Sequence, residues 1–478
     1  MLGQLWTAWL RLWTKRLAPE PIAAFRIAIG LIVIVDVAYS MLPYVEAWYS
    51  SYGTYNAERF ATLIPQDWQG LWRSGRWSLL PADFSTTQTT LWLVGVLLLA
   101  LCVTVGAFTP LTTALCWAGL LSIHNRNPIL LNAGDFILRA ALFFLIWMHA
   151  GRAWSVDNWL RRKLGWPIKR DVPAWGVRLA QLQLVLMYCA TALHKLKPVK
   201  WSKFINEKDL GDWVEGRAIG YALHHITLAR WEWLTYVPWK VFMLATWATL
   251  IWELCFPALV LFRATLPGTL AFGYVLHMGI FLTMEVQHFS LTTLAYYWLF
   301  VPASVLVAMR GRDVTGQACK PYVVFYDTLC PICRASRRWL MRLDWGKRLS
   351  FEDLHQRERA EALAPGVSYA DMLRRMYVVR REGEVFGGFQ AFRAIAPMLP
   401  LCWPIVPLLW LPGMTWLGEH AYVFIAKNRY RYARCDDNVC SMHLHMLAGK
   451  SLDEDAIRKL VAMQRQETTA DTSESSSD

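Results

Sequence analysis

The sequence predicts two unlike parts in one chain: a multi-span α-helical membrane domain, followed by a small α/β domain that carries a C-x-x-C pair. Three observations lead there. Long apolar windows recur up to Met309, and 55% of the chain is hydrophobic with 27 tryptophans, a composition that suits a bilayer better than a soluble core. Beyond Met309 the charged residues return. From Lys320 a β-like run, Tyr322-Val323-Val324-Phe325-Tyr326, leads into Asp327-Thr328-Leu329-Cys330-Pro331-Ile332-Cys333 and then a helical pattern to about Leu343.

At the N-terminus Trp6, Trp9, Arg11, Trp13, Lys15 and Arg16 interleave aromatic and basic residues, without the charged start, apolar run and cleavage site of a signal peptide. An interfacial amphipathic helix is expected over 1–20. The membrane domain is expected over 21–309, with about eight spans of near-bilayer length: Ile22 to Met41, Thr90 to Phe108, Leu111 to His124, Phe136 to Met148, Trp175 to Leu196, Val241 to Phe262, Leu266 to Met284 and Leu291 to Met309. The connection Leu42 to Gln88 is long and rich in Trp and Tyr, which points to a function or to small helices of its own.

Orientation follows from lysine and arginine in the short loops. Arg152, Arg161, Arg162, Lys163, Lys169 and Arg170 mark the segment Gly151 to Pro173 as cytoplasmic, and an even number of spans puts the C-terminal domain on that side. Lys195 then faces the exterior. The connection Leu196 to Lys240, with Lys197, Lys200, Lys203 and Lys208, disagrees, but its length and its intervening acids weaken it as a signal. The net charge of +13 reads as anchoring to anionic lipid, since no nucleic-acid motif accompanies it.

Polar groups at membrane depth are functional candidates. Here they are Arg26, Asp36, Asn132, Asp135, Arg139, Glu253, His277 and Glu285, although Arg26 with Asp36, or Asp135 with Arg139 at i, i+4, would also serve as buried ion pairs. The stretch Gln181 to Trp201 delivers His194 and Lys195 at the end of an apolar run. A lysine there is either a snorkelling anchor or a general base whose pKa is lowered by desolvation.

In the second part, strand, turn, C-x-x-C and helix place Cys330 at or just before a helix N-terminus, where backbone amides favour a thiolate. Arg334, Arg337 and Arg338 add positive charge. Cys330 is thus the expected attacker, and Cys333 the resolving partner. Asp327 either accepts a proton from the resolving thiol or caps the turn. The chain has ten cysteines but only this one C-x-x-C pair, which excludes a secreted disulfide framework. Half a zinc site has the same spacing, but the preceding strand favours redox chemistry. The apolar run Leu399 to Gly413 is too short and proline-broken to cross a bilayer; it suits either a membrane-docking surface or a buried helix pair. In the segment 435–478, Cys435, Cys440, His443 and His445 are weak metal candidates whose spacing fits no common zinc site, and the tail Glu467 to Asp478 is expected to be disordered.

Two resemblances sharpen these expectations. Tyr188 to Lys195 with Trp201, Trp154-Ser155-Val156-Asp157 and Leu276-His277 followed by Phe289 resemble, in order, the active-site lysine region, the WSVD motif and the FH motif of the vitamin K-dependent γ-carboxylases and the horizontally transferred transmembrane (HTTM) family. With Arg26-Ile27-Ala28-Ile29-Gly30, the likeness covers about the first 305 residues. It implies Lys195 as a base, His194, His277 and Trp201 at a substrate or lipid site, and a quinone or quinol as cofactor. The carboxylases' Asn-His motif has only Asn132-Ala133-Gly134-Asp135 as its nearest counterpart, and His124 lies too far upstream to replace the histidine without a shift.

The part 320–434 resembles the DCC family of thioredoxin-like thiol-disulfide oxidoreductases through Tyr326-Asp327, Cys330 and Cys333, Phe386-Gly387-Gly388 to Ala391-Phe392, Leu411-Pro412-Gly413 and Asn428-Arg429-Tyr430. Thr328 stands where that family commonly has glycine, and no proline precedes the strand Met376 to Arg380. The resemblance implies an α/β thioredoxin-like fold and catalysis by Cys330 and Cys333. The leading expectation is an enzyme of a bacterial-type inner membrane, a thiol-disulfide oxidoreductase with a protein or small thiol/disulfide substrate, membrane lipid as a partner and no nucleic acid. The alternatives are a quinol-dependent carboxylase-like enzyme using Lys195, or a non-catalytic peptide-maturation or transport factor.

Overall fold

The computed structural model describes residues 2–53, 78–81, 83–196, 212–311, 322–328, 330–380 and 383–432, and the chain forms two compact units, one of residues 1–319 with 407–412 and the other of residues 320–406 with 413–478.

The first unit opens with the helix Leu2–Thr14, on which Trp6 and Trp9 stack with ring centroids 5.3 Å apart while both stay exposed. Strand β1, Arg16–Leu17, then pairs antiparallel with β2, Val172–Pro173. Glu20–Val35 begins with proline in its first turn, where a missing N–H costs nothing, and its apolar body runs on through two π-helical stretches, Asp36–Met41 and Val45–Tyr49. The result is one helical passage, Glu20–Tyr49. The next helix, Thr86–Val105, starts on a capping box made by Ser85 and Gln88 and stops at Gly106, whose φ of 73° suits glycine.

Among the described residues, five helices are long and apolar enough to cross a membrane: Glu20–Tyr49, Thr86–Val105, Ala174–Lys195, Trp239–Leu259 and Leu266–Thr283. The pair Phe289–Phe300 and Ala303–Arg310, bent by 101° at Val301-Pro302, makes a sixth if it is one span. The windows Leu111 to His124 and Phe136 to Met148 do fold as helices, Thr109–Arg126 and Ala133–Trp147, but the first carries His124 and Arg126 in its last turn and the second has only 15 residues. About 20 residues are needed to span. The apolar faces left outside, such as Leu91, Leu98 and Leu101 on Thr86–Val105, are what lipid contact requires. Inside, Phe25, Ile29, Leu93, Leu120, Leu138 and Leu142 form a fully buried core.

Arg26 does not pair with Asp36. Its guanidinium is wholly buried and donates to the carbonyls of Ala150 (2.9 Å) and Trp154 (2.6 Å). Asp157 accepts from Phe108 N (2.7 Å), Thr109 N (2.9 Å) and Thr109 Oγ1 (2.6 Å), and Ser155 N-caps Val156–Lys163. Trp154-Ser155-Val156-Asp157 is therefore a lock on two turns, supplying the donors and acceptors that helix ends leave unmet.

The second unit holds a four-stranded mixed sheet in the order β4-β3-β5-β6, formed by Leu349–Asp353, Tyr322–Tyr326, Tyr377–Val379 and Val385–Gly387. β3 is parallel to β4, and the crossover between them contains Pro331–Leu343; β5 and β6 add on antiparallel. This βαβ followed by a hairpin and the helix Phe389–Ile395 is a thioredoxin-like arrangement. Within Leu399 to Gly413 the chain makes only short 3-10 turns, Pro400–Cys402 and Pro407–Trp410, in place of a helix pair, because its prolines interrupt any longer ladder. Leu401, Trp403 and Ile405 are exposed there.

Candidate functional sites

Cys330 is the N-cap of the helix Pro331–Leu343, with Pro331 in the first helical position. Its backbone N–H donates to Asp327 O (3.3 Å), and its carbonyl accepts from Arg334 N (3.0 Å), so the turn is closed on both sides of the sulfur. Cys330 is buried, whereas Cys333 is half-buried. The Asp327 carboxylate is buried as well. It meets His355 Nε2 at 2.9 Å, and His355 Nδ1 lies 2.8 Å from Tyr369 Oη. Tyr369 is held in turn by the Arg357 guanidinium, 4.2 Å above its ring; burial pushes its hydroxyl above the ordinary tyrosine range against the pull of that cation.

The carboxylate, imidazole and phenol thus form a connected chain beside the cysteine turn, from the end of β3 through the loop after β4 to the helix Tyr369–Arg374. His355 also donates its backbone N–H to Asp353 Oδ1 (3.1 Å), which fixes the loop. Neither His355 nor Tyr369 stands out in the sequence. The only signal is a polar residue directly after a β-like run on the edge that also carries Asp327. Of the arginines on the helix, Arg337 lies over the rings of Tyr326 (5.1 Å) and Phe351 (5.6 Å).

In the first unit Lys195 ends Ala174–Lys195 and meets both carboxylate oxygens of Glu253 on Trp239–Leu259, at 2.6 and 2.7 Å. Its ammonium also sits 4.0 Å above the Trp213 ring. Glu253 is mostly buried, so this is an intramembrane ion pair shielded by an aromatic face. Two turns back on the same helix, Tyr188 Oη lies 2.6 Å from His277 Nε2 and 2.9 Å from Tyr297 Oη, all three buried. Gly273 makes room for them, since a Cβ there would run into the Tyr297 hydroxyl. The sequence marks Lys195, His277 and Glu253 but not that Glu253 is the partner; Tyr188 enters it only as the first residue of the block that ends at Lys195, and Tyr297 not at all. His194, in the last turn of the same helix, is exposed. Glu285 pairs with Arg230 at 3.0 Å at the surface instead of lying at depth. Trp201, Cys435, Cys440, His443 and His445 lie outside the described residues.

Apolar helices with outward-facing leucines define a multi-pass membrane protein, and in the second unit a strand, a turn with two cysteines and a helix lie on a thioredoxin-like sheet. Residues 78–304 match the HTTM domain model and residues 324–435 the DCC1-like thiol-disulfide oxidoreductase model, two similarities that together point to a membrane redox protein. No curated protein and no solved structure matches it.

Proposed function

We propose that this protein is an integral membrane thiol-disulfide oxidoreductase that works through Cys330 and Cys333. The Cys330 thiolate attacks a disulfide in a protein or small-molecule substrate; a mixed disulfide forms and one substrate thiolate leaves, taking up a proton. Cys333, once deprotonated, attacks the Cys330 sulfur of the mixed species, releasing the second thiol and closing an intramolecular disulfide. The reverse sequence oxidises a dithiol. What carries the reading is Cys330 at the N-cap of a 13-residue helix, where unmatched amides favour a sulfur anion, beside the chain of Asp327, His355 and Tyr369. That chain supplies the proton acceptor the resolving step needs. We place the protein in a bacterial-type inner membrane with this domain in the cytoplasm, where thiols are kept reduced and reduction of substrate is the favoured direction.

The test is trapping. In Cys333→Ser a mixed disulfide with substrate should accumulate on Cys330, while Cys330→Ser should trap nothing and lose reductase turnover. Turnover that survives Cys330→Ser overturns the reading.

A second reading rests on the membrane unit. Lys195, in reach of the Tyr188, His277 and Tyr297 chain, would deprotonate a quinol-like lipid, after giving up the contact with Glu253. Lipid extracted from the purified protein, with loss of turnover in Lys195→Ala and none in Cys330→Ser, would favour it over the first.

A further inference from the structure

A second group of buried polar residues lies in the membrane unit, apart from both sites above. Asp36 opens the π-helical stretch Asp36–Met41, His124 sits in the last turn of Thr109–Arg126, Asp135 in the first turn of Ala133–Trp147, and His288 caps Phe289–Tyr297. They come from four different helices yet converge, and Asp36 and His124 are each only 2% exposed. One ligand atom from each of Asp36, His124 and Asp135 lies within 4.8 Å of the others. His288 stands between the two carboxylates, Nδ1 at 3.4 Å from Asp36 Oδ1 and Nε2 at 3.5 Å from Asp135 Oδ1, and His124 Nε2 is 3.7 Å from Asp135 Oδ1.

These separations are too long for good hydrogen bonds. Neither ring nitrogen of His124 has a hydrogen-bond partner, those of His288 meet the aspartates only at these long distances, and Asn127 Oδ1 lacks a partner too. Such a concentration of unmet donors and acceptors in a buried place is costly unless something else binds them.

The local structure aims the atoms. Asn132 and Asp135 form a reciprocal capping box in which Asp135 Oδ2 accepts from Asn132 N at 2.7 Å, leaving Oδ1 turned to the histidines. Arg139, one turn along, donates to Asn125 Oδ1 (3.0 Å), so the expected i, i+4 pair with Asp135 does not form. Gly134 lets the backbone of Phe289 approach, where a Cβ would come within 3.0 Å, and this brings His288 to the site. A cavity of about 220 Å³ adjoins the group, lined by Asp36, His124 and Asp135 and walled by Tyr44, Trp48 and Tyr49.

We propose that Asp36, His124 and Asp135 bind a first-row divalent transition-metal ion, with His288 set against the two carboxylates. Two carboxylates balance the charge of one such ion, and a nitrogen and oxygen donor set without sulfur suits the range from Mn²⁺ to Zn²⁺. Ligating carboxylates are themselves held by neighbouring donors, and His288, with one ring nitrogen facing each aspartate, is placed to hold both. The cavity leaves room for a further oxygen ligand, as an open metal site needs. This goes beyond the thiol chemistry and stands independently of it.

The test uses the full chain, purified in detergent without a polyhistidine tag. Elemental analysis should find close to one first-row ion per chain, and Co²⁺ added to the stripped protein should give a visible ligand-field band. His124→Ala, Asp36→Asn and Asp135→Asn should each weaken Co²⁺ binding at least about ten-fold, while His225→Gln, at an exposed histidine, should bind as the parent does. Should the three variants fail to fold, X-ray absorption on the Co²⁺-loaded parent decides: an imidazole and carboxylate shell supports the site, and sulfur ligation overturns it. No metal and no band in the parent, or binding indifferent to all three substitutions, also overturns it, leaving His288 as a protonated bridge between two aspartates.

Discussion

Asp327 shows how a side chain with two readings in the sequence acquires a partner only in three dimensions. As a cap it would be replaceable by asparagine; as the inner end of a chain through His355 and Tyr369 it is not. Asp327→Asn and His355→Gln are expected to slow resolution of the mixed disulfide about 10²-fold or more at neutral pH, the scale of a lost proton acceptor, and to shift the pH profile upward, measured by stopped-flow release of the second thiol. Equal rates in both variants and parent would leave Asp327 a turn residue. At the other site, removing one member of the Lys195 and Glu253 pair strands a charge that is largely shielded from water, a loss of about 3–5 kcal/mol, whereas replacing both with apolar residues should recover much of it. Thermal unfolding of Glu253→Leu, Lys195→Met and the double variant in detergent checks this. Gly273→Ala should separate the Tyr188 and Tyr297 hydroxyls and leave the ion pair intact, so a change in lipid binding without a change in ion-pair stability is the expected signature.

Elements were legible in the sequence to the degree that their period and their caps are local. The C-x-x-C helix, its preceding strand and five of the membrane helices follow from patterns within about 20 residues. What local patterns hide is which helix ends meet. His124 and Asp135 belong to consecutive helices joined by a short turn, so a histidine too distant along the chain to replace a missing motif residue ends up beside it in space. Likewise, Trp154-Ser155-Val156-Asp157 resembles a family motif, but its geometry is that of a turn lock, with Asp157 holding three donors. Asp157→Ala is expected to cost about 1–2 kcal/mol as a lost cap and to fray the start of Thr109–Arg126 before the rest of the unit, a difference hydrogen exchange would resolve.

For the whole molecule, span number decides which partners the redox domain can reach. Among the described residues five or six helices are long and apolar enough to cross, against about eight apolar windows in the sequence, and the difference lies in Thr109–Arg126, Ala133–Trp147 and the bent pair. Labelling single cysteines placed in the 151–173 loop and in β6 from each face of sealed vesicles should place both on the cytoplasmic side; labels on opposite faces would mean an odd number of crossings between them. The C-terminal domain carries its own pH dependence. Burial raises the hydroxyls of Tyr326, Tyr369 and Tyr377 above the ordinary tyrosine value near 10. Their protonated forms are favoured in the fold, so this contribution is complete below that value and is lost as the pH climbs toward the elevated ones. The apparent melting temperature should fall above about pH 10, less steeply in Tyr369→Phe.

The π-helical stretch Asp36–Met41 has a consequence for how this chain tolerates change in length. A π turn is an α-helix with one residue inserted and absorbed locally, so deleting any one of residues 37–40 would let the ladder close up as α-helix with the turns on either side kept on the same face. Tyr44, Trp48 and Tyr49 would then keep their places on the cavity wall, as would Asp36. Single-residue deletions in this short window should therefore spare both the aromatic lining and the span, whereas the same deletion within Ile22 to Val33 would turn every later residue of the helix by about a quarter turn and misalign it against its neighbours.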